Sequence, residues 1–182
     1  MEIKLIKSLR IKIGSKLMEN KAHNINRQVK AVNLNNATSV GIVFDASNDA
    51  ELKHIKELVK SFSPSVTKVG IIGFLKGKKK DYSYIGDKNY TFISEEDFNF
   101  FMQSNSENLD RFISWQPDVL LILCTDYYFP IHYISKLSMA GLKVGQSGIY
   151  DDSLDFLLEM KNQPLPALTR EIVHYLGILQ PA

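Results

Sequence analysis

The chain is short of cysteine, of paired histidines, of glycine-rich signatures and of long apolar runs, and each shortage excludes something. One cysteine, Cys124, stands among 182 residues. A lone thiol closes no internal bridge, and the count suits a reducing cytoplasm. Cys124 ends the most apolar run of the chain, so it is expected to be a small buried hydrophobe and not a reactive thiol. The four histidines, His23, His54, His132 and His174, are scattered with no His-x-x-x-His pair, which leaves no metal-ligating pattern. His54, among Lys53, Lys56 and Glu57, is expected on the wet face of its helix.

No stretch reaches the roughly 18 apolar residues that span a bilayer. Nor does the N-terminus read as a secretory leader: Lys4, Lys7, Arg10, Lys12 and Lys16 recur too often to leave an uncharged centre of about 7–15 residues. The expectation is a cytoplasmic protein with no transmembrane segment.

Glycine signatures are missing too. Gly73-Phe74-Leu75-Lys76-Gly77-Lys78 has three residues between its glycines where a phosphate loop has four, and Lys79 stands at the hydroxyl position. Lys76 to Lys80 therefore reads as a solvated basic loop. After the first strand, Val43-Phe44-Asp45-Ala46-Ser47-Asn48 offers no glycine that would let a pyrophosphate approach the backbone. No cofactor, metal or catalytic residue is expected.

What is present speaks to architecture. Val119-Leu120-Leu121-Ile122-Leu123-Cys124 is an apolar run without polar alternation, the pattern of a strand buried on both faces of a parallel sheet. A helix opening at Pro130 follows, and Leu142-Lys143-Val144-Gly145 closes a strand–helix–strand unit. Val40–Phe44, residues 66–75, Tyr90–Ile93 and Leu154–Met160 supply further strands. Helices are expected after a cap at Ser47, Asn48 or Asp49, over Glu95 to Gln103 or Glu107 to Ser114, and along Leu168, Ile172, Tyr175, Leu176 and Leu179. This alternation predicts a three-layer α/β domain, a Rossmann-like or flavodoxin-like open sheet of five or six mostly parallel strands. Val40–Phe44 and Val119–Leu123 should be central neighbours. The single α/β domain is assigned to residues 37–182, and 1–36 to a basic N-terminal helix and its connection.

That helix carries an apolar stripe, Ile3, Ile6, Leu9, Ile13 and Leu17, with Ile11 and Met18 off it and Gly14 inside it. The stripe is expected to dock on its own domain or on a second copy of the chain. Residues 1–30 hold eight basic and two acidic residues, net +6, while the remainder carries −4. A basic arm on an acidic body invites a polyanion or an acidic partner. Association with a membrane surface would want a cleaner polar face than Ile11 and Met18 allow.

In open parallel sheets ligands bind beyond the carboxyl ends of the strands, where the winding reverses. If the first strand neighbours Val119–Cys124, that crevice gathers Asp45, Ser47, Asn48, Thr125, Asp126 and Tyr127, suited to a small polar ligand. The competing reading makes Ser47 and Asn48 helix caps and Thr125 and Asp126 a turn.

Asp118-Val119-Leu120-Leu121-Ile122-Leu123, Pro130 and Leu137-Ser138-Met139-Ala140-Gly141-Leu142-Lys143-Val144-Gly145 together resemble an uncharacterised family of small α/β proteins found mainly in Bacteroidetes-type bacteria. Asp97-Phe98-Asn99, Leu154 to Glu159 and His174-Tyr175-Leu176 extend the resemblance. It implies the fold and no activity. The expected function is a non-catalytic binding or interaction protein, with a homodimer among its partners. The alternatives are a small-metabolite or nucleotide-sugar transferase using the crevice, and a nucleic-acid-associated protein using the basic helix.

Overall fold

The computed structural model describes residues 2–77, 89–160 and 163–180. Lys78 to Lys80 of the basic loop lie outside them. Six strands, β1 (Ser39–Asp45), β2 (Lys68–Phe74), β3 (Tyr90–Ile93), β4 (Val119–Leu123), β5 (Leu142–Gln146) and β6 (Phe156–Leu158), form one sheet. Its order is β3-β2-β1-β4-β5-β6 and every pairing is parallel. The three-layer α/β architecture is as expected, with β1 and β4 as the central pair. Strands added after β1 run to one side and those from β4 onward to the other, so the winding reverses between β1 and β4.

Five helices cover the sheet: α1 (Glu2–Ala22), α2 (Asp49–Lys60), α3 (Glu107–Ser114), α4 (Phe129–Leu137) and α5 (Leu165–Ile178). The side-chain alternation of the strands sorts them into two cores. Val40, Ile42 and Phe44 of β1 meet Leu52 and Ile55 of α2 and Leu168 and Ile172 of α5 on one face. Val43, Leu120 and Ile122 meet Met18 of α1, Leu109 of α3 and Ile134 of α4 on the other. Each such side chain contributes roughly 1.5–3 kcal/mol on full burial. Of the two expected locations for the third helix, Glu107–Ser114 is the helix, and only a short 3-10 turn forms at Glu95–Asp97.

Asp118 fixes the edge where β1 and β4 begin. Its Oδ2 accepts from the N–H groups of Thr38 and Ser39 at 2.8 and 3.0 Å and from both hydroxyls at 2.8 and 3.0 Å. Burial opposes ionisation of the carboxyl, but these four donors outweigh it and hold Asp118 below the ordinary aspartate value.

Helix α1 corrects half of one expectation, that its stripe docks on its own domain. It packs on α4, but Ile6, Leu9 and Leu17 of the stripe are exposed, as is Leu5 next to it. The face that docks is the other one: Gly14 and Met18 are buried and Ile11 and Ala22 pack partly against the core. The reason is steric. A Cβ at Gly14 would lie 2.5 Å from Met102 Cβ and 3.1 Å from Phe129 Cζ, so only glycine lets the helix backbone come this close. Polar ties finish the job. Arg10 donates to the carbonyls of Phe100 and Asn99 at 3.0 and 3.3 Å, and Lys7 pairs with Glu95 at 2.8 Å.

Candidate functional site

The parallel register brings the ends of β2, β1 and β4 to one rim of the sheet, and the residue that organises the rim is Lys76, two positions past β2. Its ammonium lies 2.9 Å from Asp45 Oδ2, 4.0 Å from Asp126 Oδ2 and 5.0 Å from the centre of the Tyr128 ring. Hydrogen bonding to Tyr128 and to Asp45 pushes the amine above its ordinary value, so it stays charged. Its backbone N–H donates to Ser47 Oγ at 2.8 Å. Glu51, in the first turn of α2, is held above the usual glutamate value by burial and by the nearby Asp45 carboxylate.

The six residues expected in the crevice are thus divided. Asp45 accepts from the Ser47 N–H at 2.9 Å as well as from Lys76. Asn48 caps α2, its side chain accepting from Ala50 N–H at 2.9 Å. Asp126 is an exposed acceptor for Tyr128 Oη at 3.4 Å. Asn48 and Thr125 line a cleft of about 280 Å³ with Glu51, His54, Gln163 and Pro164. His54 is not on a wet face: it is half-buried, with Nε2 2.7 Å from Thr169 Oγ1.

Tyr127 turns away from the crevice into a second cluster. Its Oη lies 3.1 Å from His132 Nδ1, and His132 Nε2 lies 2.9 Å from Asp152 Oδ1. An ionised carboxylate only accepts, so Nε2 carries the hydrogen and Nδ1 of the neutral ring accepts from the phenol. Lys136 holds the other Asp152 oxygen at 2.7 Å and Glu19 of α1 at 3.3 Å. The spacing is that of nucleophile, base and orienting group. However, burial and the Asp152 charge hold the Tyr127 phenol above its ordinary value. The chain of bonds ties α4, α1 and the turn at Asp151–Ser153 together. Cys124 takes no part. It is buried, donates to the Val43 carbonyl, and burial pushes its thiol up.

The feature that sequence reasoning missed is the turn beside α1. Asn99 Oδ1 accepts from the N–H groups of Phe101 and Gln103 at 2.9 and 3.1 Å, closing a tight turn. Within it Met102 adopts φ 55°, an unusual conformation for a side chain of this size. Met102 points in against Gly14, while Phe100 and Phe101 point out and are 54% and 51% exposed. The Arg10 guanidinium sits 5.5 Å from the centre of the Phe100 ring, so the two phenylalanines stand next to α1. Leu5, Ile6 and Leu9 of that helix are 72%, 50% and 53% exposed. Lys12 and Lys16 are exposed as well. Among the described residues no helix is long and apolar enough to cross a membrane.

Residues 10–179 match a family of unknown function (DUF6913). The match covers most of the chain, and the chain belongs to this family. No curated protein and no solved structure matches it.

Proposed function

We propose that this member of the DUF6913 family is a non-catalytic interaction protein whose working surface is the outer side of α1 with the Phe100–Phe101 turn, and that it meets an anionic lipid surface. One observation carries the reading: exposed Leu5, Ile6, Leu9 and Leu17 share α1 with exposed Lys12 and Lys16, and exposed Phe100 and Phe101 adjoin the same helix at Arg10. Apolar side chains flanked by lysines suit the headgroup boundary of a bilayer, where each basic residue adds about 1 kcal/mol on an anionic leaflet. The sequence-level objection, Ile11 and Met18 on the polar back of the helix, does not apply, because both face the core. Phosphates of a nucleic acid would use the lysines but not the leucines and phenylalanines. Two copies joined through this face would set one basic helix against another. At the rim of the sheet the groups best placed for chemistry, Asp45 and Lys76, engage each other, which supports the non-catalytic half of the proposal. The setting that goes with it is the cytoplasm of Bacteroidetes-type bacteria, where the inner leaflet is the membrane within reach.

The test is co-sedimentation with vesicles of phosphatidylglycerol and phosphatidylcholine, and with phosphatidylcholine alone. The chain should pellet with the anionic vesicles, less so as salt rises, and Leu9→Asp with Phe100→Ser should stay in the supernatant with an unchanged melting temperature. A chain that ignores the anionic vesicles, or a double variant that binds them as well as wild type, would overturn the reading. A wild-type dimer that the double variant splits would assign the face to self-association instead.

A further inference from the structure

A second surface lies on the opposite face of the sheet and stands on its own observations. Strand β6 is the last in the order, so one side of it pairs with β5 and the other has no strand partner among the described residues. A cleft of about 470 Å³ runs along it, lined by every residue from Phe156 to Met160 and walled by Glu171 and Tyr175 of α5. Continuous lining by five successive residues means that the space follows the strand itself. The side chains offered are apolar and acidic. Leu157 and Tyr175 are exposed, Phe156 and Met160 are partly so, and the Phe156 and Tyr175 rings lie 6.5 Å apart. Among the described residues neither Glu159 nor Glu171 has an ion-pair partner.

An open edge is a template for another strand unless it is blunted. Here β6 is three residues long and carries Glu159 just past its end, which guards it against indiscriminate pairing and favours a strand whose charge answers the carboxylate. Pairing β6 antiparallel with β6 of a second copy, centred on Leu157, would set Glu159 opposite Asp155, and like-charge repulsion disfavours that. The groove between an edge strand and a helix is the form used in strand addition, where main-chain bonds give affinity and alternate side chains give specificity.

We propose that the exposed edge of β6 and the groove beneath α5 bind an extended segment of a partner protein as a seventh strand, its alternate residues apolar against Phe156 and Tyr175 and basic against Glu159, which strand alternation puts on the other face. With α1 on the other face, the chain then presents two separate docking surfaces.

The experiment uses the full chain and two fluorescein-labelled nine-residue peptides, one alternating valine with lysine and the other valine with glutamate, read by anisotropy. The lysine peptide should bind at least tenfold more tightly. Glu159→Lys, at an exposed position, should invert that preference. Hydrogen exchange at the amides of residues 156–160 should slow when the lysine peptide binds. Equal binding of both peptides, binding unchanged by the charge swap, or no binding of either would overturn the proposal. None of these outcomes depends on whether α1 meets lipid.

Discussion

Lys76 Nζ lies 2.9 Å from Asp45 Oδ2 at the point where the sheet reverses its winding. A ligand in such a fold approaches there, yet here a lysine of the chain supplies the positive charge among Asp45, Asp126 and Glu51. Half of the Lys76 side chain is exposed, so solvent screens the pair and Lys76→Met should lower stability by only about 0–1 kcal/mol. The clearer effect is on Glu51. Its carboxyl is raised by burial and by Asp45 and lowered by Lys76, so removing the amine raises it further. A carboxyl raised on folding binds more protons in the folded chain, so stability falls as pH climbs from the ordinary glutamate range through the folded value. Lys76→Met should extend that fall to higher pH, and a carbon-13 titration of the Glu51 carboxyl should show the shift directly. An unchanged Glu51 titration would mean that Lys76 does not set the charge balance of this rim.

A similar argument applies to Lys143, the second residue of β5. The side chain is 3% exposed, and Nζ donates to the carbonyls of Ser135 and Lys136, 2.6 and 3.3 Å away at the end of α4. Burial, with the Arg27 charge added, lowers the amine to about 7. Between that value and the ordinary lysine range the unfolded chain holds a proton that the folded chain has released. Stability therefore rises with pH across this window, by at most about 1.4 kcal/mol per pH unit. Lys143→Met has no proton to release and should lack the rise. Urea unfolding of both chains at pH 7 and pH 9 should show wild type gaining about 1–3 kcal/mol on the variant. A constant difference between the two chains would show that Lys143 stays charged in the fold, held by the two carbonyls.

The sheet was legible because its signals are local. Unbroken apolar runs such as Val119–Leu123 need no partner to be read as strands. The rim was only half legible. A cap at Ser47, Asn48 or Asp49 follows from the local sequence and the structure selects Asn48, but Lys76 meets Asp45 only because β2 pairs in register with β1, and a lysine before Gly77 reads as solvated until that pairing is known. His132 and Tyr127 are close in sequence, whereas Asp152 reaches them from another loop. On α1 the apolar count misled. Five aliphatic residues marked one stripe, and the face that docks is marked by Ile11, Met18 and a glycine that looked like a defect.

That glycine gives the sharpest test of how α1 is held. In an exposed helix Gly→Ala stabilises by about 1 kcal/mol, and a sequence reading of α1 predicts that gain at Gly14. The structure predicts the opposite sign. The new methyl would stand 2.5 Å from Met102 Cβ, an atom fixed to the backbone of a tight turn and unable to swing aside. Overpacking of this kind costs about 1–3 kcal/mol, and in a chain of this size each 1 kcal/mol moves the melting temperature by about 2–4 °C. Gly14→Ala should therefore melt several degrees below wild type, with faster hydrogen exchange along residues 5–20 and little change in the sheet. Met102→Gly removes the opposing Cβ and also relieves the φ of 55° at that residue. The double variant should consequently be more stable than the sum of the two single effects, a coupling that a double-mutant cycle measures. Additive effects, or a Gly14→Ala chain that melts higher than wild type, would show that α1 does not need this close approach.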